Sequence, residues 1–252
     1  MELKPIIKRN LSNDVKGFLY EYIRHLSPAS GAKLPREEQL AKDLSVSRVT
    51  VRRALDDLEQ EGLILRLHGK GTFVNAEAVQ IKVNLSQGQE FSDMIEASGY
   101  RARVGLVRAE RREAGAELSA VFQIPESAPV MEVEKVFFAD DHPAIVCIDR
   151  CPLALLTQPV ADGEWAQSTF ELLRKYAGKI VTRDKLEVLT MTRGQMQAQF
   201  RGASGMECDS VLVLNAINYD QDNQPVIYDT EFYNTDYIRY NLIRNKNVYR
   251  YE

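Results

Sequence analysis

Three runs of apolar residues at helical spacing open the chain, and short alternating runs follow them. In residues 12–26, Val15, Phe18, Leu19, Tyr22, Ile23 and Leu26 recur every three or four positions, as in a helix that buries one face. Residues 35–44 predict a shorter helix with Leu40 and Leu44 inward and Pro35 in its first turn, where proline is tolerated. Residues 47–61 predict a third. At about 100° per residue, Val51, Ala54, Leu55 and Leu58 fall on one side, and Arg48, Val49, Arg52 and Arg53 on the other. Ser45 or Ser47 supplies an acceptor for the free N–H groups at its start, and Gly62 closes it. Residues 63–67 and 72–74 read as strands around the glycine-rich turn His68-Gly69-Lys70-Gly71.

The pattern changes after residue 90. Residues 91–98 form a short helix closed by Gly99. Residues 101–113 alternate as a strand, 116–122 read as a helix stopped before Pro125, and 129–139 and 144–150 are strands joined by a polar turn at 140–143. Residues 168–176 are helical with Ser168 as a cap. Then come a strand at 185–192, a helix at 194–201, and strands at 210–219 and 226–233 around a second polar turn. Phe138-Ala139-Asp140-Asp141-His142-Pro143 returns about 80 residues later as Tyr219-Asp220-Gln221-Asp222-Asn223-Gln224-Pro225. Strand, helix and hairpin thus occur twice, which predicts a mainly antiparallel sheet with helices on one side. Between the two patterns, residues 76–90 hold few large apolar side chains beyond a strand-like 79–83 and read as a linker. The expected organisation is a first domain at 1–75, the linker, and a second domain at 91–252.

Composition adds a charge asymmetry. The 252 residues are 44% hydrophobic and 27% charged with a net charge of −4, ordinary for a globular protein. Residues 1–75 hold 13 Lys+Arg against 10 Asp+Glu, and the remainder 19 against 26. A modestly basic head on an acidic body suits a protein that touches nucleic acid with one end. Cys147, Cys151 and Cys208 have neither metal spacing nor an even disulfide framework, and the three histidines are scattered, so no metal site or cofactor is expected. No apolar leader or membrane-length run is present. These features predict a cytoplasmic protein with reduced thiols.

Arg48 and Arg52, four residues apart near a helix start, are placed to read base edges, because arginine forks match guanine O6 and N7. A solvated basic helix face is the plainer reading, and the helix–turn–helix–hairpin context with a basic tip argues against it. Residues 34–74 resemble the GntR family of bacterial transcription regulators. They match LP-x-E-x-x-L-A-x-x-L-x-VSR-x-TVR-x-AL-x-x-L-x-x-EGLI followed by G-x-GTFV. The resemblance implies DNA contacts from Arg48, Thr50 and Arg52, with Ser47 and Arg53 beside them, and from the wing tip at His68, Gly69 and Lys70. Glu38 stands where the family often has an arginine. Arg36 occupies the usual serine slot and is a candidate for that phosphate contact.

From about residue 91 to 244 the order of elements resembles the UTRA effector domain of the HutC subfamily, which implies a chorismate-lyase-like α+β fold. It rests on the F-S-x-x-x-x-x-x-G opening at Phe91, Ser92 and Gly99, the two hairpins, and a Ser-x-aromatic helix start. Relatives that sense phosphorylated sugars use two basic positions, a serine, a tyrosine, two carboxylates and a late tyrosine. Carried over singly, these become Lys135 and Phe137, Ser168, Phe170, Cys147 and Ile227, and Tyr233. Lys135 and the helix start at Ser168 remain to hold one carboxylate, so the expected effector is less charged than a phosphate, an organic acid or a partly apolar metabolite. Asp149, Tyr228, Asp229 and Glu231 are further polar candidates, of which alternation lets only every second one face the same side.

The implied function is a ligand-responsive, DNA-binding transcription regulator, a repressor released by a small-molecule effector and acting as a homodimer on double-stranded operator DNA. A chorismate-lyase-type enzyme fused to a DNA-binding head is the alternative. No Ser–His–Asp set, paired catalytic carboxylates or phosphate loop supports catalysis. A pyridoxal-phosphate transaminase body would need more residues than remain.

Overall fold

The computed structural model describes residues 11–26, 32–75, 83–85, 88–200 and 205–242. The chain divides into two compact units, Met1–Gly88 with Tyr240–Glu252, and Gln89–Arg239. Residues 240–242 therefore group with the first unit, where Asn241 exchanges backbone hydrogen bonds with Val83 (3.0 Å) and Leu85 (3.1 Å). The strand-like run at 79–83 lies outside the described residues except for Val83, which is buried.

In the first unit α1 (Leu11–His25), α2 (Glu37–Asp43) and α3 (Arg48–Gln60) precede a hairpin of β1 (Ile64–Leu67) and β2 (Gly71–Val74). Val15, Leu19, Ile23, Leu40, Val51, Ala54, Leu55, Leu58, Ile64 and Val74 form one core, and each large side chain buried there stabilises the fold by about 1.5–3 kcal/mol. Phe18 and Tyr22, expected inward, are exposed. Each precedes a core residue by one position, so about 100° of helix rotation carries it past the edge of the apolar stripe. Ser47 is the residue that caps α3, its hydroxyl accepting the Thr50 N–H at 3.1 Å. Ser45 instead turns the chain at φ 52°. Gly62, at φ 75°, ends the helix in the left-handed conformation that a residue with Cβ resists.

The second unit contains α4 (Phe91–Ala97), β3 (Ala102–Glu113), α5 (Gly115–Phe122), β4 (Pro129–Ala139), β5 (His142–Pro152), α6 (Thr169–Ala177), β6 (Val181–Thr192), α7 (Arg193–Gln199), β7 (Ser210–Asp220) and β8 (Pro225–Tyr233). Two 3₁₀ turns, Leu153–Leu155 and Asp162–Ala166, were not apparent from the pattern. The strands form one sheet in the order β3-β4-β5-β8-β7-β6, with every pair antiparallel. The two repeats are its halves, and they meet where β5 pairs β8. The first hairpin turn is shorter than expected, because His142 already pairs with Ala139. Asp140 and Asn223 take φ 55° and 60° in the two turns, as short polar side chains do most readily.

Helices cover both faces of the sheet. The helices belonging to the repeats share one face. There Leu118 and Phe122 of α5 meet Val130, and Met196 of α7 meets Val136, Val146, Ile148 and Phe232. The opposite face is covered by α6, whose Leu172 and Leu173 pack on Val133, Cys151 and Ile227. It is also covered by α4, whose Phe91 ring lies 4.8 Å from Phe137 and 6.2 Å from Tyr233. The repeat alone predicts only the first layer, since α4 and α6 lie outside it.

Candidate nucleic-acid interface and effector site

The buried stripe of α3 leaves Arg48, Val49, Arg52 and Arg53 on the exposed side, with Val49 64% exposed. Two arginines are held by acids of α2. Arg52 gives Nε and Nη2 to Glu37 Oε2 at 3.2 and 2.9 Å, and Arg48 Nη1 lies 2.8 Å from Glu38 Oε1. Exposed pairs of this kind contribute about 0–1 kcal/mol, so they hold the arginines only weakly. Glu38 thus steadies a recognition-helix arginine. The sequence pattern left this pairing out, because it depends on how α2 packs against α3. Ser47 is committed to the cap and lies 2.8 Å from the Thr50 hydroxyl. Arg36 is exposed at the start of α2, and His68, Gly69 and Lys70 are exposed at the hairpin tip, where Gly69 has φ 73°.

In the second unit, strand register brings most of the polar candidates together. Lys135, Cys147 and Glu231 form one cross-strand row, Val133, Asp149 and Asp229 the next, and Phe137, Ile145 and Tyr233 a third. All face α4 and α6, whereas Tyr228 pairs with Arg150 on the other side. Ile227 belongs to the apolar core under α6. Ser92 is half-buried on α4. At the start of α6, the Ser168 side chain makes no capping bond and Phe170 is 39% exposed. Buried Thr169, between them, is the side chain that enters the cluster.

Lys135 differs from its expected role as an anion holder. Its ammonium donates to Asp149 Oδ2 at 3.1 Å, the Gln167 carbonyl at 2.7 Å and Thr169 Oγ1 at 2.9 Å. An ammonium has three donors, so none is left for a ligand carboxylate. Asp149 also accepts the Thr169 hydroxyl and, at 2.8 Å, the Cys147 thiol. Burial alone would raise its pKa, but the Lys135 charge and these donors outweigh that and hold it below the usual carboxylate range. Burial, with Asp149 nearby, pushes the Cys147 thiol well up, which leaves it a non-nucleophilic neutral donor.

Asp229 and Glu231 form the other half of the cluster. Asp229 is 3% exposed and accepts Asn218 Nδ2 at 2.6 Å, while its Oδ1 has no donor. Burial, and then the charges of Asp149 and Glu231, raise its pKa well above the ordinary value. Burial raises Glu231 to about 7, against the hydrogen bond it accepts from the Tyr233 hydroxyl at 2.6 Å. The sign of the pH effect follows. The folded protein holds this proton more tightly than the unfolded chain, so its stabilising effect is full below pH 4.5 and is lost as pH rises through 7. A shift from 4.5 to about 7, at about 1.4 kcal/mol per unit, is worth roughly 3 kcal/mol. Glu231→Gln is therefore expected to match wild type in Tm near pH 4.5 and to exceed it by roughly 5–10 °C at pH 8. Parallel Tm–pH curves for the two proteins would contradict this environment for Glu231.

Asp229 and Asn218 are the polar groups the sequence reading undervalued. The available signal was parity, since Asp229 stands two residues before Glu231 on one strand and so shares its face.

Comparison with known proteins agrees with this architecture. Residues 11–74 match the model of the bacterial regulatory proteins of the gntR family, and residues 97–239 match the UTRA domain. An uncharacterized HTH-type transcriptional regulator, YurK of Bacillus subtilis, is 26% identical over 87% of this chain and 86% of its own length. A probable fructoselysine utilization operon transcriptional repressor of Escherichia coli is 26% identical over 89% of this chain and 87% of its own. The crystal structure of YydK, a possible transcriptional regulator of Bacillus subtilis, superposes with a TM-score of 0.70 at 19% identity. That match covers 93% of this chain and 99% of that one. With its exposed arginine helix in one unit and a buried polar cluster in the other, the chain belongs to the GntR family of bacterial regulatory proteins, in the group with a UTRA domain, and is a ligand-responsive DNA-binding transcription regulator.

Proposed function

We propose that this regulator is a cytoplasmic homodimeric repressor that leaves its operator when a small molecule binds the second unit. The observation that carries the reading is the exposed face of α3, where Arg48, Arg52 and Arg53 lie opposite a fully buried stripe. In this reading Arg48, Thr50, Arg52 and Arg53 read bases, while Arg36 and the wing tip at His68, Gly69 and Lys70 meet phosphates or the adjacent groove. Phe91, Ser92, Phe137, Asp149, Glu231 and Tyr233 surround the effector. Residues 1–75 act as the reader, 76–90 as the linker and 91–252 as the sensor.

Dimerisation is supported by β6, an edge strand on which Val188 and Leu189 are 51% and 45% exposed although they point to opposite faces. An uncovered apolar edge invites a second strand. Repression is supported by the relative named as a repressor. The cytoplasmic reading follows from the DNA target; among the described residues no helix is long and apolar enough to cross a membrane. Nothing favours the lyase alternative.

Selection of operators from random DNA with the full chain tests the reading. Two-fold protein symmetry should return paired, inverted half-sites, and a bound effector should weaken binding about 5–150-fold through a coupling of about 1–3 kcal/mol. Single asymmetric sites would remove the homodimer from the proposal.

A further inference from the structure

Buried carboxylates on the central sheet are treated in two ways. On the face under α5 and α7, Glu132 meets Arg108 at 3.0 Å, Arg112 at 2.5 Å and Arg150 at 2.9 Å, and Glu134 meets Arg108 at 2.8 Å. On the opposite face Asp149 has a cation, Lys135, and buried Asp220 at the end of β7 has another, Lys179, at 2.6 Å. Among the described residues none lies within ion-pair distance of Asp229 or Glu231. Each accepts from one neutral donor, Asn218 or Tyr233, and Asp229 Oδ1 has no donor. A buried carboxylate without a countercharge is costly, and the same sheet neutralises its other acids thoroughly.

The groups facing this pair add to the imbalance. Asp149 on β5 and Asp184 on β6 act on it as further negative charges, Cys147 is neutral, and the Lys135 ammonium is fully occupied. Glu90, at the start of α4, is another acid near Lys135 and Asp149. A phosphate or carboxylate ligand would bring more negative charge to a place with no donor to spare. A neutral polyol would supply donors but no charge. An ammonium group supplies both. Next to the acids, the rings of Phe91 and Phe137 form an apolar wall, half-buried and so within reach of a ligand.

Resting on the effector-site reading above, we propose that the effector carries a protonated primary amine that donates to Asp229 Oδ1 and Glu231, with an apolar portion against Phe91 and Phe137. Without ligand, a proton shared between Asp229 and Asp149 relieves their repulsion. The amine takes its place, so binding near neutral pH releases protons to solvent.

Three six-carbon probes that differ in one terminal group test this on the full chain: 6-aminohexanol, 1,6-hexanediol and 6-hydroxyhexanoate. Only the amine should raise Tm, by about 3–6 °C at roughly ten times its Kd, and less at pH 5.5 than at pH 7.5. Calorimetry in buffers of different ionisation enthalpy should find net proton release. Asp229→Asn should raise the Tm of the ligand-free protein at pH 7.5 and abolish the amine shift, and Glu231→Gln should weaken it. Stabilisation by 6-hydroxyhexanoate that disappears in Asp229→Asn would overturn the amine while keeping the site. A probe shift that survives both substitutions would overturn the site itself. No shift from the amine at its highest soluble concentration would overturn the amine proposal.

Discussion

Lys135→Ala is expected to lower Tm by about 6–15 °C, because removing one partner of a buried ion pair costs about 3–5 kcal/mol. The ammonium ties Asp149 on β5 to Thr169 and the Gln167 carbonyl at the start of α6. Without it, Asp149 is a buried anion beside Asp229, and the Gln167 carbonyl loses its donor. The loss should be largely recovered in the double variant Lys135→Ala/Asp149→Asn, which removes the stranded charge as well. Thermal unfolding of the two variants beside wild type measures both effects. A single variant within 2 °C of wild type would show that Lys135 is not the structural cation described here. The expectation separates Lys135 from Asp229 and Glu231, whose neutral replacements should stabilise the ligand-free protein instead.

Arg52→Ala should lower operator affinity about 5–150-fold, the equivalent of about 1–3 kcal/mol, and relax preference at one base pair of each half-site. The Glu37 pair seen in the free protein is exposed and is too weak to hold the guanidinium back from guanine. Lys70→Ala, at the wing tip, should weaken all sequences alike and reduce the salt slope by about 1. Titrations against every single-base variant of the selected operator, at several salt concentrations, separate these signatures. If both variants keep full sequence preference and share one salt slope, Arg52 does not read a base.

By itself the sequence determined what depends on neighbours a few residues apart. The three helices of the first unit, the wing, Gly62 as a helix end and the two hairpin turns follow from 3.6- and 2-residue periods and from turn chemistry. The repeat announced an antiparallel sheet, and parity announced which strand residues share a face. Even there, period alone placed Phe18 and Tyr22 inside, when the edge of the stripe left them in water.

Only the tertiary structure decided how distant charges were used. Asp149 and Asp229 are eighty residues apart in the chain and directly opposite in the sheet, because β5 happens to be the neighbour of β8. Lys135 looked like an anion holder until α6 delivered Thr169 and the Gln167 carbonyl to its ammonium. Glu37 and Glu38 reach the arginines of α3 only because α2 packs beside it. The physical reason is the same in each case. A residue's type sets which protons and charges it can offer, but whether they are already satisfied depends on the groups within about 3–4 Å. Those groups are chosen by strand order and helix packing, which no local pattern encodes.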